Sequence, residues 1–129
     1  MSWPPPVTLA GKIVAVTPLT QAHAPDLAEA SADGGLERLW YTTIPAPENV
    51  ADDIDKRNAL FNMCPFAVIE QATGKAVGMT TYLNVEEAHR RVEIGGTWYR
   101  RSVQRSGLNT ECTFLLLRHA FETLDCNEV

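Results

Sequence analysis

The stretch Arg91-Val92-Glu93-Ile94-Gly95-Gly96-Thr97-Trp98-Tyr99, continued by Arg100-Arg101-Ser102-Val103-Gln104-Arg105-Ser106-Gly107-Leu108-Asn109-Thr110, decides how this chain is read. Its first nine residues form a strand pattern, and a glycine pair inside a strand invites a bulge. Beyond the loop, Leu108, Cys112, Leu115, Leu116, Ala120 and Leu124 fall on one helical stripe, so 107–124 reads as a helix packed on a sheet. The polar loop thus lies at a helix amino terminus, where unpaired N–H groups and the positive end of the dipole suit a phosphate or pyrophosphate. Gly107 lets backbone approach such an anion with no side chain in the way. One glycine and a cap occur at many helix starts, so the loop by itself does not specify a ligand.

Toward the amino terminus, 66–70 and 76–83 read as the arms of a β-hairpin turning at 72–75, and 84–90 as a polar connection to the strand at 91–99. Val50, Ile54 and Phe61 give 48–63 an inner helical face, with Asp52, Asp53, Lys56 and Arg57 on the outer one. Pro45 and Pro47 make 42–47 an irregular loop, after a short helix at 36–41. Thr20 can cap a helix carrying Ala24, Leu27, Ala28 and Ser31, which Asp33-Gly34-Gly35 ends; Pro25 leaves its first turn open to question. Strands at 7–9 and 13–16 flank Gly11-Lys12. The order β, α, β, α in 129 residues implies one α/β (α+β) domain spanning 1–129.

Composition narrows the function. Eleven Lys and Arg against 16 Asp and Glu give a net charge of −5, a poor field for nucleic acid. Apolar runs such as Phe114-Leu115-Leu116-Leu117 are far too short to span a bilayer, so no membrane partner is expected. Met1-Ser2-Trp3-Pro4-Pro5-Pro6 lacks the features of a secretory signal, and a cytoplasmic location is expected. Cys64, Cys112 and Cys126 are odd in number and widely separated, as suits reduced thiols. His23, His89 and His119 have no partner at metal-ligand spacing, so no metal is expected. On one helix Cys112 and His119 would stand about 10 Å apart along the axis, too far for a nucleophile and its base. Gly74-Lys75 lacks the glycine-rich run of an NTPase phosphate loop. Trp40, Tyr41 and Phe61 fit a core, or the lining of an acceptor pocket. Arg90, Arg91, Arg100, Arg101 and Arg105 cluster at the ends of the 91–99 strand; the last three, nearest the helix start, are the better candidates to face a phosphorylated ligand.

Leu9-Ala10-Gly11-Lys12-Ile13-Val14, Pro18-Leu19-Thr20, His23-Ala24, Pro65-Phe66-Ala67-Val68-Ile69, Thr73-Gly74-Lys75 with Val77-Gly78, Val92-Glu93-Ile94-Gly95, Trp98 and Gln104-Arg105-Ser106-Gly107-Leu108-Asn109-Thr110-Glu111 occur in a telling order. From about residue 9 to 129 the chain resembles the GNAT superfamily of N-acetyltransferases, above all its RimJ/RimL-like branch, which acetylates ribosomal-protein termini and other amines. The superfamily's pyrophosphate loop reads Q/R-x-x-G-x-G/A; Gln104 and Gly107 match, and Asn109 departs at the sixth position.

The resemblance implies a mostly antiparallel mixed sheet flanked by helices, and acetyl-CoA as cosubstrate. It places the pyrophosphate on the backbone of Gln104, Arg105, Ser106, Gly107, Leu108, Asn109 and Thr110, and the pantetheine arm along the main chain of Thr97, Trp98 and Tyr99. It also implies Glu93 as the carboxylate that deprotonates a primary amine, of a protein terminus or a small molecule, before direct attack on the thioester. Glu93 otherwise reads as a strand glutamate in solvent or paired with Arg91, and Glu111 as a first-turn acid favoured by the dipole. In the superfamily, further strands and a helix follow the segment corresponding to 107–124. Their near absence from this sequence raises a second reading, a catalytically silent remnant that binds CoA weakly or mediates protein contacts. It also raises the expectation of a homodimer covering the open edge of the 91–99 strand, because 125–129 is short for folding back.

Overall fold

Five strands pair in chain order: β1 (Leu9–Ala10), β2 (Val14–Pro18), β3 (Cys64–Glu70), β4 (Lys75–Glu86) and β5 (Arg91–Tyr99). The computed structural model describes residues 4–33, 44–60, 62–104, 106–127 and 129; the helix expected at 36–41, with Trp40, Tyr41, Phe61 and Arg105, lies outside them. Every pairing among the described residues is antiparallel, and helices cover both faces of the sheet, as expected of an α+β domain. On one face Val14, Val16, Phe66, Tyr82 and Val92 pack with α3 (Leu108–Arg118). On the other, Ala67, Ala76, Met79 and Trp98 pack with α1 (Ala24–Ala32) and α2 (Val50–Ala59).

The helix starts follow their local chemistry. Thr20 N–H donates to His23 Nδ1 at 3.0 Å, closing a 3₁₀ turn over Gln21–His23 that leads into α1. Pro25 stands in the first turn of α1, where a missing N–H costs nothing. Several expected boundaries move, β1 to Leu9–Ala10 from 7–9 and β2 to Val14–Pro18 from 13–16 among them. α2 stops at Ala59 rather than 63, because Leu60 turns extended (ψ 123°) to bring the chain to β3, and Pro65 disfavours helix just before it. β4 runs on to Glu86, absorbing the start of the expected polar connection through a bulge at Asn84.

The expected apolar stripe of 107–124 is buried along its whole length. However, α3 ends at Arg118 and the chain continues as a π-helical turn over His119–Thr123. There Leu124 N–H bonds His119 O at 3.0 Å, and the Tyr82 hydroxyl donates to Leu116 O at 2.6 Å. Periodicity cannot distinguish such a turn from α-helix, because the stripe survives it. The terminal segment also folds back farther than expected: Asn127 N–H bonds Arg90 O at 2.8 Å, at the start of β5.

Glu111 ties α3 to the sheet. Its Oε1 accepts the N–H groups of Ile13 (2.8 Å) and Val14 (2.9 Å), so this first-turn acid is a clasp on β2. A Cβ on Gly11 would lie 2.3 Å from the same oxygen, so the clasp needs glycine there. Desolvation pushes the Glu111 carboxyl upward, but the amides of Ile13, Val14 and Lys12 and the Lys12 charge outweigh it and hold the group below its usual range. A depressed carboxyl contributes stability that is fully present above its unfolded pKa of about 4.3 and is lost as pH falls through the folded value. Glu111→Gln is therefore expected to lower stability by about 2 kcal/mol at pH 7, two hydrogen bonds to a charged group being weakened. Urea melts should show the gap closing as the pH is brought below that range; a gap independent of pH would show that the charge of Glu111 is irrelevant.

Candidate active site

The β5 strand carries two irregularities, and the candidate site lies between them. Near its end Thr81 faces Gly95 and Met79 faces Trp98, so β5 spends one residue more than β4 and bulges at Gly96–Thr97. Gly96 takes φ +57°, a conformation that glycine adopts freely, and the expected bulge is present. Two neighbours fix it. Thr80 and Thr97 share a hydroxyl–hydroxyl bond of 2.9 Å. Arg57 Nη1 donates to both Gly96 O and Thr81 Oγ1 at 2.8 Å, while its Nε holds Asp53 at 3.0 Å. The sequence pattern puts Arg57 on the outer face of its helix; the side chain instead reaches inward, leaving only 12% of its surface exposed. The Asp53–Arg57 spacing in sequence reads as an ordinary helix ion pair, and nothing in it points to a strand thirty-nine residues away.

Of the expected pantetheine residues, Trp98 and Tyr99 offer only main chain. Their rings are buried on opposite faces, Trp98 toward α1 and α2 and Tyr99 toward α3. Burial, helped by the neighbouring Cys112, raises the Tyr99 phenol above its ordinary value and keeps it neutral. β5 is an edge strand among the described residues, so Thr97 to Tyr99 lie along an open margin.

After β5, Gln104 Nε2 donates to Tyr99 O at 3.1 Å, and Ser106 Oγ donates to Val103 O at 2.5 Å. These bonds fold the loop over so that Gly107 caps α3 at φ +85°. A Cβ built on Gly107 meets nothing within 4 Å: the space before the helix is open. Leu108 is buried and contributes only its amide, whereas Asn109 and Thr110 are exposed beside it. The amides of Leu108, Asn109 and Thr110 are the ones a first helical turn leaves without intrahelical acceptors.

The arginines divide differently from expectation. Arg100 is held by Asp33 at 3.1 Å and Glu29 at 3.5 Å, on the α1 side, so it is a strut and not a phosphate ligand. The Ser102 amide, which also bonds Asp33, is the main reason that carboxyl stays below its usual range; Arg100 adds to the effect. Arg101 is exposed next to the loop. A cation that the residues did not advertise is Lys12, which lines a cavity of about 470 Å³ together with Ser106 and Leu108.

At the other end of β5, Glu93 opens on a cleft of about 460 Å³ lined by Asn62, Asn84, Val85, Glu86 and Arg91. Strand alternation sets it opposite Val92, which packs toward α3, so Glu93 faces the α2 side. Arg91 pairs with Glu86 at 3.7 Å. Among the described residues, Asn84 Nδ2 donates to the Glu93 carboxylate, at 3.0 Å from Oε2.

A strand carrying an acid, a bulge three residues later, and a loop whose glycine opens a helix end form one continuous segment. Residues 14–129 match the family model described as the acetyltransferase (GNAT) domain. The chain belongs to the GNAT family of acetyltransferases. Its fold is similar to a GCN5-related N-acetyltransferase from Brucella melitensis, at 28% identity and a TM-score of 0.83 over 94% of this chain and 57% of that one. A provisionally assigned acetyltransferase from T. thermophilus is 26% identical, with a TM-score of 0.79 over 96% of this chain and 65% of that one. RimL, a ribosomal L7/L12 α-N-protein acetyltransferase, shares the fold alone, at 14% identity and a TM-score of 0.75 over 94% of this chain and 68% of that one. The GNAT chain thus spans less than two thirds of the length of the first two. No curated protein matches it. Among the described residues no helix is long and apolar enough to cross a membrane, and no group of three or more side chains is placed to hold a metal ion.

Proposed function

We propose that this GNAT chain carries the acetyl-CoA and amine sites of an N-acetyltransferase of the RimJ/RimL-like branch, with Glu93 as general base. The observation that carries the reading is the single segment from Glu93 through the Gly96–Thr97 bulge to Gly107, which aligns a carboxylate, an open strand margin and a helix amino terminus. The open space and positive φ at Gly107 fit a pyrophosphate against the amides of Leu108 to Thr110. In this reading the pantetheine arm runs along the main chain of Thr97 to Tyr99, and Gln104 and Ser106 hold the loop in shape. Asn109, which departs from the motif, is exposed beside the loop.

Acetyl-CoA, when bound, supplies an activated acetyl thioester. The amine arrives as an ammonium ion, so a proton must leave nitrogen first, and Glu93 accepts it from the cleft, directly or through a water. Transfer is direct. Burial pushes the Cys64 thiol up to about 11 and also raises Cys112 and Cys126, so none of the three is activated as a nucleophile.

Calorimetric titration with acetyl-CoA tests the site before any acceptor is known. Saturable binding is expected, and Gly107→Glu should weaken it at least about 100-fold, or about 2.7 kcal/mol, by filling the space and repelling phosphate. Undiminished affinity in a folded variant would remove the loop from the site. Absence of binding by the unsubstituted chain would favour the catalytically silent reading.

A further inference from the structure

We propose that Asn84 is a positioning residue for the acetyl transfer: a bulge in β4 aims its amide at the Glu93 carboxylate and holds that base toward the acceptor cleft. The inference rests on the reading of Glu93 as the base. Leu83 faces Glu93 and Glu86 faces Arg91, so Asn84 and Val85 together oppose the single residue Val92. Such an extra residue bends a strand and re-aims a side chain. At Asn84 φ is +48°, a left-handed conformation that glycine takes freely and that asparagine tolerates better than most other residues.

Glycine would build this bulge with less strain but would have nothing to give Glu93. Asn84 Nδ2 donates to Glu93 Oε2 at 3.0 Å, and both side chains line the same cleft. The bulge is clamped from behind, where Val85 N–H bonds Asn62 O at 3.0 Å on the segment that enters β3. Among the described residues, the other charged groups lining the cleft are Glu86 and Arg91, which lie 3.7 Å apart as an ion pair. A neutral donor on one carboxylate oxygen fixes the orientation of the group, and Oε1 then takes the amine proton. Because Asn84 is exposed and Glu93 half-buried, an amine can approach the pair from solvent.

Two variants separate this role from that of a bulge residue. Asn84→Gly keeps the left-handed backbone and removes the amide; Asn84→Asp keeps the shape and sets a like charge beside Glu93. Turnover is followed with acetyl-CoA and the probe amine tyramine, and the Glu93 carboxylate is titrated by carbon NMR on ¹³C-glutamate-labelled protein, which needs no acceptor. Asn84→Gly should melt no lower than the unsubstituted chain and leave the KM for acetyl-CoA unchanged, with kcat reduced about tenfold. In Asn84→Asp the Glu93 titration midpoint should rise by about 0.5 pH unit or more, like charge opposing ionisation. An unmoved midpoint in Asn84→Asp would overturn the proposal whether or not tyramine is accepted, as would unaltered kcat in Asn84→Gly. If Glu93→Gln itself keeps full turnover while the midpoint in Asn84→Asp moves, it is the assignment of Glu93 as base that fails, and the Asn84–Glu93 contact stands.

Discussion

Glu93→Gln is expected to abolish most turnover at neutral pH while leaving acetyl-CoA affinity within about twofold, because the carboxylate faces the cleft and not the loop at Gly107. The size of the loss should report the acceptor. An alkyl ammonium with a pKa of about 10.4 is free base only about once in 2,500 molecules at pH 7, so removing the base should cost about 10³-fold. A terminal α-amine of pKa about 8 is already deprotonated about once in ten, and its loss should be nearer tenfold. In both cases the deficit should shrink as pH approaches the pKa of the amine, which then deprotonates itself. Steady-state rates for the two proteins between pH 6 and pH 10, with tyramine and with an alanyl peptide, would measure it. A deficit constant across that range would mean that Glu93 does not remove the proton.

The parts of this site that could be read in sequence are those whose chemistry is local. A glycine pair in a strand announces a bulge, and Gly96 makes one; a stripe of apolar residues announces a helix against a sheet, and Leu108 to Leu124 supply one face of it. Gly107 was legible for the same reason, since a helix start after a polar loop needs a residue free to take φ +85°. The partners were not legible, because each is fixed by which distant element the fold delivers. Arg57 and Gly96 meet only once α2 lies across the sheet, and Arg100 meets Asp33 and Glu29 only because α1 ends beside the loop that follows β5. Asn84 is an intermediate case. An asparagine amid Thr81-Tyr82-Leu83 and Val85 is a poor strand former and a tolerable left-handed residue, which is a signal for a bulge; its bond to Glu93 becomes visible only with the register.

Gly78→Ala should be the most damaging single methyl in the sheet. In β4 Gly78 faces Tyr99, and an added Cβ would lie 2.2 Å from Trp98 O and 3.0 Å from Tyr99 Cα. Both are backbone atoms, so no side chain can swing aside, and β4 must part from β5. The separation would loosen the pairings Met79–Trp98 and Gly78–Tyr99 and the 2.7 Å bond from Arg100 N–H to Val77 O. A cost of about 3 kcal/mol or more is expected, lowering the melting temperature by about 10 °C. Two other glycines calibrate it. Gly74 has φ +73° with nothing within 4 Å, so alanine there should pay only left-handed strain, about 1 kcal/mol. At Gly95 the obstacle is the tip of Leu83, 2.5 Å away, a side chain able to rotate, and an intermediate loss is expected. If Gly78→Ala melts as high as Gly74→Ala, the close approach of the two strands is not a requirement of the fold. Should the order hold, Gly78→Ala will also weaken acetyl-CoA binding, since the margin proposed for the pantetheine arm is the same Trp98–Tyr99 backbone that the methyl displaces.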